Sequence, residues 1–184
     1  MKSYKLFILF ILFITQLVGC APSSLLAIPQ SISDRRSTEN QFIDNKIFLA
    51  AWSPVELITK NEKEVSHFNI TVFNKAIVIV GEVPTEEVKN KITEALLKIK
   101  NVKTVHNKII VGKACNLKQK AKDSITTSNV KTRMFLEINN DLHPLHVKIM
   151  TENDIVYLVG IVNDKEADEA IRIAKSSKGV KLVV

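Results

Sequence analysis

A catalytic or metal centre in this 184-residue chain would have to be assembled from few parts. There are two cysteines, Cys20 and Cys115, and four histidines. Cys115 has Lys113 and Lys118 nearby, cations of the kind that lower a thiol pKa. No histidine or carboxylate stands close to it in sequence, so it reads as a structural thiol. His143-Pro-Leu-His146 offers two ligands but no third, and His67 and His106 read as isolated surface imidazoles. Glu86/Glu87 and Asp164/Glu166 are the carboxylate pairs for acid–base work. Each opens a helical stretch, where the positive end of the helix dipole already accounts for it. Five glycines leave little for a phosphate-cradling loop, and no nucleophile elbow, P-loop or dinucleotide fingerprint is present. The residues therefore imply neither an enzyme nor a cofactor nor a metal. Charge is more informative. From Lys113 to Arg133 six basic residues (Lys113, Lys118, Lys120, Lys122, Lys131, Arg133) face one acid, Asp123. Such a patch suits an anionic surface, of nucleic acid or of phospholipid headgroups.

The N-terminus supplies an address. Lys2 and Lys5 precede an apolar run from Leu6 to Val18, broken only by Thr15 and Gln16. Thirteen helical residues rise about 20 Å, short of a hydrocarbon core of about 30 Å. This is the pattern of a secretory signal. Its end, Leu17-Val18-Gly19-Cys20, resembles the lipobox of bacterial lipoproteins, in which the cysteine is diacylated, freed by cleavage and N-acylated. Two or three acyl chains make attachment nearly permanent. Ala21 rather than Asp follows Cys20, and by that resemblance the destination is the outer membrane, facing the periplasm. Acylation of Cys20 leaves Cys115 as the sole thiol and excludes an internal disulfide. A periplasmic address also argues against nucleic acid.

The elements that would position these residues occur twice. Residues 20–43 form the acylated cysteine and a Ser/Pro/Gln/Asn-rich tether with an r.m.s. reach of about 25–30 Å. Then Phe68-Asn-Ile70-Thr-Val72 alternates as a strand, Asn74-Lys75 turns, and Ala76–Val83 is a second, more apolar strand. Thr85 caps a helix with Val88, Ile92, Ala95, Leu96 and Ile99 on one stripe. Asn101 stops it, and Val102 to Val111 returns as a strand. The second copy runs Leu145–Ile149, a turn at Thr151–Asp154, Ile155–Val162, and an Asn163/Glu166 capping box. Its helix carries Ala167, Ala170, Ile171 and Ala174, Gly179 stops it, and Val180 opens a last strand of about half length. Gly81 and Gly160 stand 79 residues apart at the same step, and are read as places where helix packs closely on strand or a bulge forms.

Each three-stranded sheet needs a cover, so each copy should own a preceding helix. Ser53-Pro54-Val55-Glu56 marks one start, and Asp123 before Thr126, Val130 and Met134 marks the other. The fold class is α+β: two tandem αββαβ domains, 44–112 and 113–184, behind the lipoprotein signal 1–19. Each strand–helix–strand unit should be parallel and each hairpin antiparallel.

This order, with an apolar strand ending in Gly-x-Val before a capped helix and then (Gly/Asn)-Val, resembles the BON domain. Val147 to Val162, Glu166-Ala167 and Ala174 to Val180 carry the resemblance most closely. Two copies behind a lipobox resemble the dual BON-domain lipoproteins of the Gram-negative outer membrane. The resemblance implies binding to phospholipid surfaces and a part in keeping the envelope intact, with anionic phospholipid as partner. The alternative is a module that recruits envelope-assembly or cell-wall proteins, touching the membrane only through Cys20. For the first reading the expected contact is the first helix of the second copy. There Lys131 and Arg133 lie near Met134, Phe135 and Leu136, with Lys118, Lys120 and Lys122 close by. Ser124 stands where such a helix can carry a large apolar anchor, so the attraction should be mainly electrostatic.

Overall fold

The computed structural model of the protein describes residues 34–60, 67–137 and 142–184. The expected signal, Cys20 and residues 21–33 lie outside them. The first copy is α1 (Thr38–Lys60), β1 (His67–Phe73), β2 (Ala76–Val83), α2 (Glu86–Leu97) and β3 (Thr104–Val111). The second is α3 (Leu117–Glu137), β4 (Val147–Glu152), β5 (Ile155–Gly160), α4 (Asp164–Lys175) and β6 (Leu182–Val183). Each sheet has three strands in chain order, the hairpin antiparallel and the strand after the helix parallel to the central one. This is the αββαβ order that the sequence implied.

Local chemistry explains the joints. Asn74 and Lys75 (φ 50° and 66°) and Asn153 and Asp154 (φ 52° and 65°) each place two successive residues in the left-handed region. That geometry matches the twist of a two-residue hairpin. Thr85 Oγ1 accepts from Val88 N at 3.2 Å, and the Asn163/Glu166 capping box is complete. Asn101 (φ 71°) and Gly179 (φ 97°) follow the two crossover helices.

The preceding helices depart from expectation. α1 starts at Thr38, inside the stretch read as tether, with Ser37 Oγ accepting from Asn40 N. Ser53-Pro54 is not a start; Pro54 lies within the helix. Proline removes the donor that the Ala50 carbonyl would use. Ala51 and Val55 on either side of it are fully buried in the core, and their burial outweighs one lost bond. α3 likewise begins at Leu117, where Asn116 Oδ1 accepts from Gln119 N, and not at Asp123.

Asp123 has another task, which Asp44 shares 79 residues earlier. Asp44 accepts from Asn74 N and Lys75 N, both at 2.7 Å. Asp123 accepts from Asn153 N at 3.0 Å and Asp154 N at 2.9 Å. In each copy a buried carboxylate on the first helix ties down the hairpin turn. In the second copy β4 begins later than expected, because Pro144–His146 is a 3₁₀ turn. Ile173, rather than half-buried Ile171, is the deep residue of α4.

Helices cover one face of each sheet. Ile47, Ala51 and Val55 of α1 and Val88, Ile92 and Leu96 of α2 meet Ile77 and Ile79. Val130 and Met134 of α3 and Ala170, Ile173 and Ala174 of α4 meet Val156. The opposite faces meet each other: Val78 and Val80 of β2 pack against Met150 of β4 and Tyr157 of β5. The layers are therefore helices, sheet, sheet, helices. Lys148 Nζ adds a 2.8 Å bond to the Val72 carbonyl across this junction. The close approach at the two glycines is to the neighbouring backbone, not to a helix. A Cβ on Gly81 (φ 132°) would stand 2.1 Å from the His67 carbonyl oxygen, and one on Gly160 2.4 Å from that of His146.

Candidate functional site

The basic surface of α3 divides into engaged and available side chains. Thr126, Val130 and Met134 recur every four residues and point into the core. Met134 is only 1% exposed, so it is a core residue and not part of an outward face. The Arg133 guanidinium pairs with both oxygens of Glu137 (2.6 and 2.9 Å) and bonds Ser176 Oγ and Ser177 Oγ, clamping α3 to the end of α4. Lys122 pairs with Asp154 at 2.9 Å. Together with Lys181, it holds the Asp154 carboxyl far below the usual carboxylate range. Lys118, Lys120 and Lys131 have no acidic partner among the described residues. On the same helix Leu117, Ile125, Phe135 and Leu136 are exposed, Leu136 by 79%. Ser124 is exposed beside them.

Beneath Lys120 and Lys131 runs a groove of about 450 Å³. One wall is β1, with His67, Asn69 and Thr71; the other is α3 and β4, with Ser124, Thr127, Thr151 and Glu152. Thr127 Oγ1 and Thr151 Oγ1 bond across its floor at 2.7 Å. The groove is largely polar, with Lys120 and Lys131 balanced by Asp123 and Glu152.

At one end of the groove the structure gathers residues that the sequence left apart. His67 Nε2 lies 3.5 Å from Glu152 Oε2, and Cys115 Sγ lies 3.7 Å from Glu152 Oε1. Glu82 is buried alongside, accepting from Cys115 N at 3.2 Å and from Asn153 Nδ2. Burial, then the charges of Glu82 and Glu152, push the Cys115 thiol up to about 12, outweighing the opposite pull of Lys120. The raised value accords with the reading of Cys115 as a structural thiol; the lysines near it in sequence do not activate it. Strand alternation put His67 opposite the core residues Phe68, Ile70 and Val72. Nothing in the sequence showed that a second sheet would cover that face and deliver Glu152. His143 and His146, the pair read earlier, stand with ring centroids 5.4 Å apart and gain no third ligand among the described residues.

A third surface was not anticipated. The outer side of α1 exposes Phe42, Phe48, Leu49, Trp52 and Leu57. Phe48 stacks at 6.3 Å on Trp52, which in turn meets Phe68 at 5.0 Å. Amphipathic spacing made Ile47, Ala51 and Val55 the core stripe, but the residues between them are apolar as well. No helix among the described residues is long and apolar enough to cross a membrane.

Comparison with known proteins agrees with this architecture. The family model described as the BON domain matches twice, at residues 56–113 and 122–184. The outer membrane lipoprotein DolP of Haemophilus influenzae is 30% identical over 152 residues, covering 83% of this chain and 77% of its own. The 21 kDa hemolysin of Actinobacillus pleuropneumoniae is 26% identical over 66% of this chain, which spans 62% of that protein. The osmotically-inducible protein Y of Escherichia coli K12 is 25% identical, over 84% of this chain and 77% of its own length.

Proposed function

We propose that this chain, which belongs to the BON domain family and is an outer-membrane lipoprotein, lays the α3 face of its second domain on anionic phospholipid and so helps to maintain the envelope. The observation that carries this reading is the pairing pattern on α3. Lys118, Lys120 and Lys131 lack acidic partners among the described residues and stand on the helix that also exposes Leu117, Ile125, Phe135 and Leu136. Cations meet headgroup phosphates while an apolar side chain enters the acyl boundary, as in an interfacial amphipathic helix. Each cation near such a surface contributes about 1 kcal/mol. Ser124 in the middle of the face limits apolar insertion, which leaves attraction dominated by charge. Affinity in the micromolar to millimolar range suffices when Cys20 holds the domain at high local concentration. Met134 and Arg133 take no part, the first being buried and the second spent on Glu137 and α4.

The test is flotation of the chain from Ala21 onward, without acyl groups, on vesicles containing anionic phospholipid. Binding should fall steeply as the Debye length drops from about 10 Å at 0.1 M salt to about 3 Å at 1 M. Lys118→Glu/Lys131→Glu should abolish it, while Lys89→Glu/Lys91→Glu on α2 should not. Salt-insensitive binding, or equal loss from both double reversals, would refute the assignment.

A specific observation favours a second reading. The layering puts α1 and α3 on opposite outer faces, so one membrane cannot receive both. The exposed side of α1 is aromatic, and its surface charges balance, Glu39 and Glu56 against Lys46 and Lys60. Such a face suits an apolar groove on an envelope-assembly protein. A photo-crosslinking residue at Leu49 that captured lipid and no protein would refute this second reading.

A further inference from the structure

We propose that His67, Cys115 and Glu152 bind one zinc-type divalent cation, which ties β1 of the first domain, the interdomain linker and β4 of the second domain into a single unit. All three donor atoms lie within 4.8 Å of one another. In a tetrahedral zinc site, nitrogen, oxygen and sulfur ligands stand about 3.4–3.6 Å apart, given bonds of about 2.0–2.3 Å. His67 Nε2 stands 3.5 Å from Glu152 Oε2 and Cys115 Sγ 3.7 Å from Glu152 Oε1, so each already has that spacing to one of the two carboxylate oxygens. No two of the donor atoms are more than 4.8 Å apart, so the longer edges close by about 1.4 Å at most, which small rotations of the partly exposed imidazole and of the carboxylate supply.

The electrostatics of the junction point the same way independently. Glu152 is only 4% exposed, and its partners among the described residues are the imidazole and a thiol. Glu82, equally buried, has two neutral N–H donors. Two buried carboxylates with so little compensation are costly, and a dication held between the strands supplies what is missing. The mixed sulfur, nitrogen and oxygen set selects a zinc-like ion over calcium or magnesium, which prefer oxygen alone. On binding, the Cys115 proton passes to solvent and the thiolate becomes the ligand. Three protein ligands leave one position facing the groove, open to water or to an anion.

The test uses the full-length acylated protein in detergent micelles, stripped with chelator and titrated with cobalt(II) as a spectroscopic stand-in. Wild-type protein should bind one equivalent, with thiolate-to-cobalt charge-transfer absorption and the visible bands of a tetrahedral ion. Zinc should displace it, and magnesium and calcium should not. Cys115→Ser should abolish the charge-transfer band, and acylated Cys20 cannot replace it. His67→Gln and Glu152→Gln should weaken binding by more than the roughly 10–100-fold that loss of an outer partner costs. His106→Gln should change nothing. Far-UV circular dichroism confirms that each variant is folded, and zinc should raise the urea midpoint of the wild type but not of Cys115→Ser. Absence of the sulfur-to-cobalt band in the wild type, or wild-type affinity in His67→Gln or Glu152→Gln, would overturn the proposal.

Discussion

Replacing Asp44 by alanine should unfasten the first hairpin from α1. The carboxylate is buried, and it receives three hydrogen bonds of 2.7 Å, from Asn74 N, Lys75 N and Arg36 Nη1. A hydrogen bond to a charged group contributes about 1.5–3 kcal/mol, and a buried donor left without an acceptor costs about 1–3 kcal/mol. The two turn amides bond the two oxygens of one carboxylate, so their contributions do not simply add. Arg36 keeps Asp34 as a partner, which limits the damage on that side. Together these give a loss of about 3 kcal/mol for Asp44→Ala. Asp44→Asn keeps one acceptor oxygen but aims an amide donor at the second N–H, for about half the loss. Asp123→Ala removes three slightly longer bonds, from Asn153 N, Asp154 N and Gln119 Nε2, and no arginine contact; Gln119 keeps Asp154 as a partner, and the change should cost about 2 kcal/mol. Urea unfolding measures these changes. With a slope of about 1–3 kcal/mol per molar urea, 3 kcal/mol moves the midpoint by about 1–3 M. Trp52, packed at 5.0 Å on Phe68, is the single tryptophan and reports on the first domain. Circular dichroism reports on both domains. An Asp44→Ala midpoint within about 0.5 kcal/mol of wild type, or an Asn variant as damaged as the Ala variant, would refute the reasoning.

Gly81→Ala should lose about 3 kcal/mol or more, because its Cβ would strike the His67 carbonyl at a positive φ, whereas Gly112→Ala meets nothing within 4 Å and should be neutral by the same urea assay. Asp154 is held below its ordinary pKa by Lys181 and Lys122, so its stabilisation is complete above the unfolded carboxylate value of about 3.9 and is lost as pH falls through the folded value. Asp154→Asn should therefore flatten the acid side of the stability–pH curve, measured as urea midpoint between pH 5 and pH 2. β6 has two residues where β3 has eight, so amide exchange should be faster in α4 than in α2; stronger protection of α4 would contradict this order. Cys20→Ser should accumulate as unprocessed precursor at the inner membrane, and mass spectrometry showing an unmodified mature N-terminus in the native protein would refute lipidation.

What the sequence determined by itself was whatever depends on neighbours along the chain. Period-two and period-3.6 patterns located the strands and the crossover helices, Asn74-Lys75 the first turn, and Thr85 and Asn163 the caps; the second turn, read over Thr151–Asp154, is confined to Asn153-Asp154 because Thr151 and Glu152 stay in β4. The repeat, the short last strand and the basic run before Arg133 were legible for the same reason. The starts of α1 and α3 were misread, because Pro54 and Asp123 carry strong local signals that tertiary contacts override. Burial of Ala51 and Val55 carries α1 through its proline, and Asp123 serves a turn 30 residues away. The available cations on α3 were not legible either, since Lys131 and Arg133 look alike until Glu137 and the end of α4 engage one of them. Only the tertiary structure stacked the two sheets and brought His67, Cys115 and Glu152 together. Periodicity says which face of a strand is apolar, but it holds no information about which distant surface will cover the other face. That choice is made by the fit of Val78 and Val80 to Met150 and Tyr157, residues that meet only when both domains have formed.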